Sequence, residues 1–105
     1  LRSLDPDNPN YKGRYIGDQR QRDGAYHQGT VWGWLLGPFV LAHLRVYGNP
    51  GKSRELLEPM ANHIYAHGIG TFSEIFDGDP PMVPGGCIAQ AWTVAEILRA
   101  WLATE

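Results

Sequence analysis

The sequence predicts an all-α fold of three helices joined by long loops, and three observations carry that prediction. Apolar residues recur at helical spacing over 30–47, 53–67 and 87–103. The first and last of these stretches are apolar almost all round, whereas the middle one is one-sided. Three helices cannot all bury such surfaces against one another in a chain of 105 residues. The surplus must face either more of the same polypeptide or another copy. The expected architecture is therefore a fragment of a larger helical structure in which inner helices are ringed by outer ones.

Residues 1–29 contain Pro6, Pro9, Gly13, Gly17 and Gly24 without a sustained period, and read as extended loop with brief strand pairing around Tyr11 to Ile16. Thr30 is the expected N-cap of the first helix, and Gly48 with Pro50 its stop. Val31, Trp32, Trp34, Leu35, Leu36, Phe39, Val40 and Leu41 make its first turns apolar on all sides. Pro38 either kinks this helix or marks its first turn if it starts late. Ser53 to His67 reads as the second helix, with Ser53 as N-cap, Gly68 as stop and a bend at Pro59. Leu56, Leu57, Met60 and Ile64 form its single apolar stripe, with Arg54, Glu55, Glu58 and Asn62 facing away. Gly85-Gly86 leads into the third helix, Cys87 to Ala103, whose polar strip is confined to Gln90, Thr93, Glu96 and Arg99.

Composition excludes several classes. Nine Lys and Arg against eleven Asp and Glu give a net charge of −2, with no basic stripe, which argues against nucleic acid or an anionic membrane as partner. The apolar run from Val31 to Ala42 is too short to span a bilayer and carries Gly33, Gly37 and Pro38. A single cysteine, Cys87, excludes an internal disulfide and fits a reducing, cytoplasmic compartment. The chain begins at Leu1 without Met or a basic-then-apolar leader, so its start reads as a cut inside a longer protein. Thirteen glycines and eight prolines bring no collagen-like period, and 43% hydrophobic residues are too many for disorder.

The chemistry concentrates in the loop between the second and third helices, 68–86. Within it, Gly70-Thr71-Phe72-Ser73-Glu74-Ile75-Phe76-Asp77-Gly78-Asp79-Pro80-Pro81 holds three carboxylates and two aromatics in a stretch punctuated against helix. An acidic, aromatic loop of this kind suits a neutral polar ligand such as a sugar. An ordinary Glu is ionised at neutral pH, so Glu74 suits a general base activating water better than a general acid. The alternative for Glu74 is an exposed loop carboxylate. Asp77-Gly78 and Asp79-Pro80 read as turn formers.

Two carboxylates flanking a glycosidic bond are the usual glycosidase apparatus, and their separation sets the stereochemical outcome. Tyr26, His27 and Gln28 close the first loop with polar groups able to hydrogen-bond a ligand. Trp32, directly after them, is a better candidate for a flat sugar-stacking face than Trp34, which sits among apolar neighbours. His63 and His67 have helical i, i+4 spacing but lack the Glu of a zinc-protease pattern, and read as partners of a helix C-terminal dipole. No metal or cofactor is expected. Cys87 reads as a buried cysteine at a helix start rather than a nucleophile.

Four stretches together resemble a known family. They are Tyr26-His27-Gln28-Gly29-Thr30-Val31-Trp32, Trp34-Leu35-Leu36-Gly37-Pro38-Phe39, Ser73-Glu74-Ile75-Phe76-Asp77-Gly78-Asp79 and Gly86-Cys87-Ile88-Ala89-Gln90-Ala91-Trp92-Thr93-Val94-Ala95-Glu96. In this order, within roughly Tyr11 to Trp101, they closely resemble the C-terminal part of the glycogen debranching enzyme (amylo-α-1,6-glucosidase) family. Gly33 departs from it, standing where many members carry proline.

The resemblance implies an (α/α)6 toroid, six inner helices within six outer ones, of which about three of twelve are present. It implies inverting hydrolysis of α-1,6-linked glucose at branch stubs of glycogen or limit dextrin. By motif match Glu74 is the general base, while Tyr26, His27, Gln28 and Trp32 line the sugar pocket. The general acid is an aspartate far upstream, outside this chain, so Asp77 and Asp79 do not fill that role. The remainder of the parent polypeptide is then the missing partner, and the fragment alone is expected to be inactive. The competing reading is a non-catalytic carbohydrate-binding or assembly module of the same helical type.

Overall fold

A computed structural model describes all residues, 1–105. Its elements are α1 (Gln19–Ala25), β1 (Val31–Trp32), a 3-10 turn (Gly33–Leu35), α2 (Leu36–Tyr47), α3 (Pro50–Glu55), α4 (Glu58–Ala66), β2 (Ile75–Phe76), β3 (Pro84–Gly85) and α5 (Ala91–Ala103). The fold is mainly helical, but a small antiparallel sheet in the order β1-β2-β3 corrects the all-α expectation. Val31 pairs with Phe76 and Trp32 with Ile75; Ile75 in turn pairs with Gly85 and Phe76 with Pro84. Pro84 is tolerated because β3 is an edge strand, where a missing N–H breaks no inner ladder.

The sheet displaces the expected start of the first helix. Val31 and Trp32 are β-branched and aromatic, fit the pleat, and pair with β2 instead of opening a helix. Thr30 is not an N-cap; its hydroxyl donates to the Tyr26 carbonyl at 2.6 Å. The helix begins at Leu36, so Pro38 falls in its first turn, where backbone N–H groups have no helical partner. No kink is needed. The stop is as expected: Gly48 adopts φ 61°, and its N–H caps the Leu44 carbonyl at 2.8 Å.

The second helix is two helices. Asn49, not Ser53, is the N-cap of α3, accepting the Lys52 N–H at 2.9 Å, and Pro50 opens that helix. Pro59 stands in the opening positions of α4, so it begins a new helix where a bend was expected. Ser53 is buried, with its hydroxyl 2.9 Å from His43 Nδ1. Arg54 does not face away: its guanidinium lies 4.8 Å above the Trp101 ring and its Nε donates to Thr104 Oγ1 at 3.2 Å. The third helix starts at Ala91, four residues later than expected.

Two features of the first loop differ from expectation. Residues 19–25 are helical, held by a capping box between Asp18 and Gln21. Tyr11 to Ile16 form no ladder; the Gly13 carbonyl instead accepts the N–H groups of Gly78 at 2.9 Å and Asp79 at 3.2 Å. The N-terminal segment thus straps the acidic loop.

The core joins α2, α4, α5 and β2 through Val40, Leu57, Met60, Phe72, Phe76, Ile97 and Ala100. The helices α2 and α5 meet at Gly37, where a Cβ would lie 2.6 Å from the Glu96 carbonyl oxygen, so the crossing requires glycine. The outer side of α5 is uncovered: Trp92, Leu98 and Leu102 are 63%, 55% and 56% exposed. No helix is long and apolar enough to cross a membrane.

Candidate active site

Glu74 sits one residue before β2, and the sheet fixes its backbone. Its N–H donates to the Cys87 carbonyl at 2.9 Å, and its own carbonyl accepts the Gly33 N–H at 3.2 Å. The side chain is half-buried rather than a free loop carboxylate. Oε1 accepts the Tyr26 hydroxyl at 2.6 Å and Gln90 Nε2 at 3.1 Å, while Oε2 accepts the Cys87 N–H at 3.0 Å. All three donors are neutral, and no Lys or Arg forms an ion pair with Glu74.

Tyr26 is held as firmly as the carboxylate it serves. Its carbonyl takes both the Thr30 hydroxyl and the Trp32 indole N–H, at 2.6 and 3.0 Å. Burial and then the Glu74 hydrogen bond push its phenol well above the usual tyrosine range, so it stays protonated and remains a donor. The ring packs against Trp32, His27 and Tyr15, with centroids 4.7, 4.9 and 5.8 Å away.

The structure therefore gathers Glu74, Tyr26, His27 and Trp32, but in unequal roles. Trp32 is only 8% exposed. His27 lies parallel to it at 5.0 Å, so Trp32 backs the site and the exposed His27 forms the outer layer. Gln28 is not brought to Glu74. Its backbone bonds Ala25 and Lys12, and its side chain borders a separate surface hollow with Tyr11 and Lys12.

Asp77 and Asp79 are committed elsewhere. Asp77 is buried, accepts the Tyr15 N–H at 2.8 Å and lies 3.5 Å from Arg14 Nη1. Asp79 Oδ1 accepts the Tyr11 hydroxyl at 2.9 Å. They anchor the loop to the N-terminal segment. His63 and His67 do end a helix, in the last turn and at the C-cap of α4, but His63 is buried against Phe72 and Phe76 and its Nε2 accepts the Ser73 N–H at 3.3 Å. Cys87 is exposed, not buried, and its contribution is made by the backbone.

Two positions beside Glu74 escaped the sequence. Gln90 read as one point on a polar strip, and only its place at the start of α5 turns it toward Glu74. Gly86, with φ 68°, lets the chain pass so close that a Cβ there would lie 2.3 Å from Glu74 Oε2. The Gly85-Gly86 pair ahead of a helix is the only trace of it in the residues.

A groove of about 490 Å³ on the molecule is lined by Val31, Leu36, Met60, His63 and Phe76 among others, and Glu74 is not among its walls. Its lining is mainly apolar, with His63 its one titratable side chain.

The family model described as amylo-alpha-1,6-glucosidase matches residues 1–99. The chain belongs to this family. Membership gives the chain a glycosidase-family context, with carbohydrate as the associated ligand class. Searches of curated proteins and of solved structures give no match.

Proposed function

We propose that this chain supplies the catalytic base of a debranching-type α-glucosidase that hydrolyses α-1,6-linked glucose at branch points with inversion. Glu74 is the base and takes a proton from the attacking water. The observation that carries the reading is the carboxylate's setting: three neutral donors hold it in place, two on Oε1 and one on Oε2. Neutral donors hold the carboxylate in place and favour its ionised form, the form a general base requires.

The general acid comes from outside this chain. In support, both nearby aspartates are already bound, Asp77 to Arg14 and Tyr15 and Asp79 to Tyr11. Tyr26 and His27 border the position of the sugar, with Trp32 behind them. In this reading α2 and α5 belong to an (α/α)6 toroid completed by the parent polypeptide, which covers Trp92, Leu98 and Leu102. The test is the anomeric form of the first product. The parent enzyme acting on a branched dextrin should release β-glucose first, and the isolated 105-residue chain should release none. Initial release of α-glucose contradicts inversion.

A further inference from the structure

Gln90 is the N-cap residue of α5, yet its side chain makes no capping bond. Capping favours the short Asn, Asp, Ser and Thr, whose oxygens reach back to the first turn. Gln90 instead extends away from the helix and places Nε2 3.1 Å from Glu74 Oε1. Its backbone is pinned on both sides: its N–H donates to the Phe72 carbonyl at 2.9 Å, and its carbonyl accepts the Val94 N–H at 3.1 Å. The amide therefore sits on a rigid junction between the acidic loop and α5. An ionised carboxylate only accepts hydrogen bonds, so the amide nitrogen, not its oxygen, must face Glu74.

Counting acceptor sites then separates the two carboxylate oxygens. Each offers about two lone-pair positions. On Oε1 both are taken, by Tyr26 and Gln90; on Oε2 one is taken, by the Cys87 N–H. We propose that Gln90 is a positioning residue which, together with Tyr26, saturates Oε1 and so makes Oε2 the atom that receives the water proton. This rests on the reading of Glu74 as the base. In the step itself a water O–H bond breaks and its proton passes to Oε2, while the oxygen's electron pair forms the new bond to the anomeric carbon. The bond from that carbon to the branch-point oxygen breaks, its electron pair stays on the departing oxygen, and that oxygen takes a proton from the general acid supplied from outside this chain.

The surroundings leave this arrangement unopposed. The titratable groups around Glu74 are Tyr26, bonded to it; Tyr15 and His27, packed on the Tyr26 ring; and the Cys87 thiol, turned to the Ala89 carbonyl at 3.5 Å. None is an ion-pair partner, so the contacts to the Glu74 carboxylate are hydrogen bonds from neutral donors.

The test is the pH profile of kcat/KM in the complete enzyme. Gln90→Glu replaces the donor with a second carboxyl group, and the two then share a proton. The acid limb should move up by about one pH unit or more, with activity recovering at higher pH. Gln90→Leu removes the donor without adding charge, and should move the limb in the same direction by a smaller step. An acid limb left at its wild-type position by both variants overturns the proposal, whatever the loss in kcat, because a purely structural role does not move a titration. If Gln90→Glu does not fold, Gln90→Leu decides alone. Failure of the underlying reading looks different: Glu74→Gln would keep wild-type turnover.

Discussion

The Tyr26 hydroxyl donates a 2.6 Å hydrogen bond to Glu74 Oε1, joining the end of the first loop to the acidic loop 48 residues later. Tyr26→Phe deletes this donor and keeps the ring packing. A hydrogen bond to a charged group contributes about 1.5–3 kcal/mol. If that stabilisation serves the ordered, ionised base, kcat/KM of the complete enzyme should fall by roughly 10- to 100-fold. The melting temperature should change little by comparison.

Gly86→Ala should be more damaging to activity than to folding. The new methyl would overlap Glu74 Oε2, and the φ of 68° is strained for any residue with a Cβ. A left-handed conformation costs about 1–2 kcal/mol for an L-residue, a modest stability loss. Displacement of the carboxylate by even an ångström costs on the order of 100-fold in rate. Kinetics set beside thermal unfolding of the same variant checks the split.

Asp77→Asn separates a structural carboxylate from a catalytic one. It weakens the link to Arg14 and Tyr15 that holds the loop. The expected outcome is a lower unfolding midpoint, with product stereochemistry and the shape of the pH profile retained. Loss of the alkaline limb in this variant would make Asp77 the proton donor after all.

His63 gives the fold a pH dependence of definite sign. Burial, and to a smaller extent the charge of His67, holds its imidazole below the usual histidine range, and Nε2 accepts the Ser73 N–H only when unprotonated. The unfolded chain binds the proton near the ordinary pKa of about 6.5, while the folded chain resists it. Stability is therefore fully present above that value and is lost as pH falls below it toward the lower, folded pKa. Urea midpoints should drop between neutral and mildly acidic pH, and His63→Gln should flatten that dependence.

Much of this was legible in the residues, and the misses have a common cause. The stop at Gly48 and the apolar stripe of Leu57, Met60 and Ile64 follow from local spacing, and the structure keeps them. The helix start at Thr30 failed because Val31 and Trp32 pair with Ile75 and Phe76, a non-local choice that periodicity does not encode. The short α1 carries a capping box but buries only Ala25, so no apolar stripe announced it. Glu74 stood out through its motif. Tyr26 stood out as a pocket residue but not as the partner of Glu74, and Gln90 and the Cys87 N–H did not stand out at all, because the three converge only when the sheet and the start of α5 are assembled.

The account's central claim is that Glu74 is the base, and turnover of the complete enzyme carrying Glu74→Gln tests it most directly. The substitution is nearly isosteric, so folding and KM should hold while kcat falls by several orders of magnitude. Wild-type kcat in a folded Glu74→Gln enzyme would contradict it.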